Sequence, residues 1–109
     1  MSALSSASAA ADSGEREFVH VVATVTAAGS TVVYTPVAGN RVRLRWSYAI
    51  NDPNALTTPL ISIFLGVEEK YRVYALSKRQ AVTGPVDGTL SVTLSAPGSV
   101  ALTFLLEEV

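Results

Sequence analysis

The chain has 109 residues, with eight Lys and Arg against nine Asp and Glu and a formal net charge of -1. That length supports one two-layer core, and the near-neutral balance gives the chain as a whole no attraction to nucleic acid or an anionic membrane. There is no cysteine, which excludes disulfides, thiol nucleophiles and thiolate metal sites.

Residues Met1–Gly14 are almost all Ala and Ser. Such a segment has little to bury and is expected to form an extended arm over residues 1–16, with Leu4 as its candidate contact. It lacks the basic and apolar regions of a secretory signal, and no run of about 18 apolar residues occurs to span a membrane. A soluble protein made in a cytoplasm is expected.

A β-sandwich domain is expected over residues 17–109. In Glu17–Thr26, Val19, Val21, Ala23 and Val25 share one face, and Phe18, His20, Val22 and Thr24 the other. Ala27–Ser30 reads as a turn with Gly29 available for a positive φ. Thr31–Thr35 is a short strand stopped by Pro36.

Arg41–Ile50 alternates without a break and is predicted to be the central strand. Val42, Leu44, Trp46, Tyr48 and Ile50 are expected inward, which places the only tryptophan in mid-core. Arg41, Arg43, Arg45, Ser47 and Ala49 are expected outward.

A loop with prolines at 53 and 59 leads to Leu60–Val67, apolar on both faces as a covered strand would be, with Gly66 read as a bulge. Glu68-Glu69 reads as a charged turn, Lys70–Ser77 as a strand, and Lys78–Gly88 as irregular. Thr89–Ser95 and Ser99–Val109, joined by Ala96-Pro97-Gly98, are predicted to form a hairpin. About seven strands result, predicting an all-β fold: an antiparallel β-sandwich or a jelly-roll-like barrel.

Catalytic constellations are absent from the pattern. His20 is the only histidine and has no H-x-H or H-E-x-x-H context. The carboxylates fall at turns and chain ends, and no G-x-S-x-G or phosphate-binding loop occurs. No enzyme activity, metal or cofactor is expected.

Two features suggest contacts. Arg41, Arg43 and Arg45 repel one another unless neutralised, either by glutamates of neighbouring strands such as Glu17, Glu107 or Glu108, or by a protein partner. Nucleic acid is a poor third choice, because the aromatics are expected on the other face. In the closing strand, Ala101, Thr103 and Leu105 make the second face weakly apolar, so its outer side is expected to be covered. Hydrophobic residues make up 49% of the chain and charged ones 16%. Either this is a Val- and Ala-rich sandwich, or a second buried surface exists against other chains.

The stretches AAGSTVVYTPVAGNRVRLRW (Ala27–Trp46) and GPVDGTLSVTLSAPGSVALTFLLEEV (Gly84–Val109) resemble a group of small tailed-bacteriophage virion structural proteins. The resemblance covers most of Glu17–Val109 and departs at the Ala/Ser arm. It implies a capsid decoration (cement) protein on the head surface, a homo-oligomer with a trimer favoured. Its partner would be the major capsid protein or another virion protein. The alternatives are a head–tail connector or tail-associated module, and a carbohydrate- or receptor-binding sandwich using Tyr34, Tyr71 or Tyr74.

Overall fold

The computed structural model describes residues 18–109. The predicted arm over residues 1–16, its candidate contact Leu4, and Glu17 lie outside the described residues. The described residues form nine strands: β1 (Val19–Val25), β2 (Gly29–Tyr34), β3 (Val42–Asn51), β4 (Ile61–Leu65), β5 (Glu68–Val73), β6 (Leu76–Lys78), β7 (Val82–Thr83), β8 (Leu90–Leu94) and β9 (Val100–Glu108).

They form two antiparallel sheets. One runs β1-β9-β3-β6, with β7 also paired to β3, and the other runs β2-β8-β4-β5. β6 and β7 lie along the same edge of β3 and act as one interrupted strand. On that count each sheet has four strands, in the order of a jelly roll. The sequence pattern left Greek key and jelly roll open, and strand pairing decides between them.

The core lies between the sheets. Phe104, Leu102 and Leu106 of β9 and Val42 and Leu44 of β3 line one side; Ile61, Ile63 and Leu65 of β4 and Leu90, Val92 and Leu94 of β8 line the other. All are buried. In β4, β8 and β9 every second residue removes its side chain from water, and in β4, read as apolar on both faces, Ser62 and Phe64 are only half-buried.

Five expectations need correction. The strand count is nine, because Glu68-Glu69 open β5 instead of forming a turn, and Val82–Thr83 pair with β3 inside the stretch read as irregular. Lys70–Ser77 is not one strand. It breaks at Tyr74-Ala75, sending β5 and β6 to different sheets. Gly66 is not a bulge but a left-handed turn residue (φ 62°) directly after β4. An added Cβ there would come within 2.7 Å of Pro85 Cγ, so glycine is needed for space as well as for φ.

The predicted hairpin is absent. β8 pairs with β2 and β4, while β9 pairs with β1 and β3, so Ala96-Pro97-Gly98 carries the chain from one sheet to the other. Both arrangements give the same inward alternation, and a short loop serves either.

The fifth correction concerns β3. Leu44 pairs with Leu106 but Trp46 with Leu105, so Arg45 is an extra residue, a β-bulge. The bulge reverses the alternation. Val42 and Leu44 point inward as expected, but beyond Arg45 the buried residues are Ser47 and Ala49. Trp46, Tyr48 and Ile50 turn to the outer face. The tryptophan is half-buried on that surface, not in mid-core.

Candidate functional site

The bulge and the sheet order together build an apolar outer face on the β1-β9-β3 sheet. Three cross-strand rows make it up: His20–Leu105–Trp46, Val22–Thr103–Tyr48 and Thr24–Ala101–Ile50. Phe18 (50% exposed) extends it at one end, and Val22 (77%) and Ile50 (44%) stand out to solvent. Contiguous apolar area of this kind on a small domain marks a contact surface. Beyond Ile50 and Ala101 the face dips into a shallow depression lined also by Thr24, Asp52 and Ser99.

Trp46 stacks obliquely on Tyr48, with ring centroids 6.0 Å apart and planes at 36°. The Arg79 guanidinium lies 5.7 Å from the Trp46 ring centroid, in cation–π range. The aromatic pair thus has a cation along one border.

At the other border sits the arginine cluster. Glu107, 3% exposed, receives Arg45 Nη1 at 3.3 Å and Arg43 Nη1 at 3.7 Å. Arg43 Nε also donates to Thr83 Oγ1 at 3.1 Å, tying β7 to β3. Of the two readings of the cluster, pairing with the chain's own glutamates holds for Arg43 and Arg45. Arg41 is exposed and pairs through its backbone with Val109.

Of the predicted contact residues, Ala101, Thr103 and Leu105 lie on the apolar face, Ala101 exposed and the other two half-buried. Arg43 and Arg45 border it. Phe18, Val22, Trp46, Tyr48 and Ile50 were not predicted as contacts. The alternation of β1 had already put Phe18 and Val22 on a second face, but the β3 contribution was hidden by the bulge.

A second constellation lies one residue further along β9, at the same end of the strand as the arginine cluster. Glu108 accepts hydrogen bonds from the Tyr34 hydroxyl, from Val37 N at 2.9 Å and from Asn40 Nδ2 at 2.8 Å. These clamp the β2–β3 connection to the last strand. Burial pushes the Glu108 carboxyl up, but the three donors outweigh it and hold it below the ordinary glutamate range. Burial, then the Glu108 bond and charge, push the Tyr34 phenol well above its usual value. This is a structural clamp.

The tyrosines considered for glycan binding do not assemble. Tyr34 is buried in the clamp, Tyr71 is half-buried and Tyr74 is exposed elsewhere. Among the described residues no group of three His, Cys, Asp or Glu is placed to hold a metal ion, and no helix is long and apolar enough to cross a membrane. Comparison with protein-family models, curated proteins and solved structures found no match.

Proposed function

We propose that the chain is a non-enzymatic structural component of a tailed-phage virion, a decoration protein that binds the head shell as an oligomer and stabilises it. The observation that carries this reading is the apolar outer face centred on Val22, Thr103 and Tyr48, open to solvent over Phe18, Val22 and Ile50. A binding module needs such a face, whereas catalysis would need convergent acid, base or nucleophilic groups.

The jelly-roll order supports the reading at the level of fold, since viral shell proteins use this architecture, although fold alone does not define function. The resemblance of Ala27–Trp46 and Gly84–Val109 to small phage virion proteins supports it independently. Binding of this kind stabilises a shell by mass action, because a protein that engages only the assembled lattice raises the free energy of dismantling it.

The test is quantitative mass spectrometry of purified source particles, counting this chain against the major shell protein. Copy numbers comparable with the shell protein are expected. A handful of copies would move the protein to the tail or head–tail connector, and absence from the particle would overturn the reading.

One observation favours a second function. Trp46 and Tyr48 face outward side by side, as sugar-stacking aromatics do. Saturable glycan binding lost in Trp46→Ala would promote it over shell attachment.

A further inference from the structure

The two sheets expose four edges, and three are blunted against further pairing. β5 carries Glu68, Glu69, Lys70 and Arg72 along six residues. The β6/β7 edge consists of pieces of three and two residues. β2 has a bulge at Val33. Charge, brevity and bulges are the devices by which sheet edges avoid adding strands.

β1 has none of them. Its seven residues, VHVVATV, contain no Asp, Glu, Lys, Arg, Pro or Gly, and its pairing with β9 runs in unbroken register from Val19 to Val25. Among the described residues nothing pairs with its other edge. Alternate backbone N–H and C=O groups along that edge have no ladder partner among the described residues, and another strand is the group that satisfies them in order.

We propose that this edge takes β1 of a second copy, joining the two sheets across a two-fold axis at Val22. The segment is self-complementary in that register. Val22 faces Val22, His20 faces Thr24, Val19 faces Val25 and Val21 faces Ala23, so β-branched residues meet and no like charges oppose. Residues 1–16 are Ala- and Ser-rich, a poorer strand composition than β1 itself. The inference goes beyond the virion reading and stands or falls separately from it. An isologous contact closes as a dimer, in place of the trimer that the sequence resemblance implies.

The experiment is sedimentation analysis of the full chain over a concentration series, with hydrogen exchange on the same samples. A dimer is expected, with β1 amides gaining protection as it forms. Val22 is 77% exposed, so Val22→Lys folds normally but sets two ammonium groups against each other. Its dissociation constant should rise about tenfold or more. Mixing Val22→Lys with Val22→Glu should restore the dimer. Ala101→Lys, on the apolar face but off the edge, should leave the dimer intact. A monomeric or trimeric wild-type chain, an unaffected Val22→Lys dimer, or equal disruption by Ala101→Lys would each overturn the proposal.

Discussion

The Tyr34 hydroxyl donates a hydrogen bond to the Glu108 carboxylate across 74 positions of sequence. The pair joins the end of β2 to the end of β9, strands of opposite sheets, and it makes stability depend on pH at both extremes. The folded-state pKa of Glu108 is depressed, so its contribution is full above the ordinary glutamate value of about 4.3 and is lost as pH falls through the folded value. That of Tyr34 is raised, so its contribution is full below about pH 10 and is lost as pH rises toward the folded value. Thermal melts across pH should show Glu108→Gln flattening the acid limb and Tyr34→Phe the alkaline one. Unchanged limbs would mean that the clamp does not form in solution.

Trp46 and Phe104 should respond differently to truncation. Phe104 is fully buried, and its replacement by Ala is expected to cost about 3–5 kcal/mol. Trp46 lies on the outer face, where loss of partial burial and of the Arg79 contact should cost about 1–2 kcal/mol. Denaturant titration measures both, and acrylamide should quench Trp46 fluorescence in the native state. Equal costs with a shielded tryptophan would put Trp46 back in the core and remove the bulge.

The bulge also drives Ser47 inward, where among the described residues its hydroxyl finds no partner. The hydroxyl of the half-buried Tyr71 is in the same position. Removing a buried unsatisfied group relieves its desolvation, so Ser47→Ala and Tyr71→Phe are each expected to stabilise by about 1 kcal/mol. Melting temperatures decide this, and a clear loss in either variant would reveal a partner such as bound water.

Glu107→Gln leaves Arg43 and Arg45 side by side without the carboxylate between them. Both guanidiniums are partly exposed, so solvent screens the pair and the cost should be only about 1 kcal/mol at low salt. It should shrink as salt rises. A salt-independent loss would mean that Glu107 acts through packing.

Gly66→Ala combines a positive φ with a Cβ contact of 2.7 Å to Pro85. Destabilisation of about 1–3 kcal/mol is expected from equilibrium unfolding. A neutral effect would show that the β4–β5 turn and the Pro85 loop separate freely.

Local pattern carries much of this protein. Alternation in β1, β8 and β9 gives the all-β class, the inward residues of β8 and β9 and the outward set Ala101, Thr103 and Leu105, because each property depends only on which side of one strand a residue occupies. Glutamates placed late in the chain were also enough to suggest the partner of Arg43 and Arg45. Three matters were decided by tertiary structure. A single extra residue at Arg45 exchanges the two faces of half of β3, and that insertion exists only relative to the register of β9, which the sequence of β3 does not contain. Whether Thr89–Ser95 and Ser99–Val109 share a sheet depends on which neighbours compete for each strand's edges, and β2, β4, β1 and β3 win those positions. The apolar face follows from both, since it draws rows from three strands that are adjacent in the sheet and far apart in the chain.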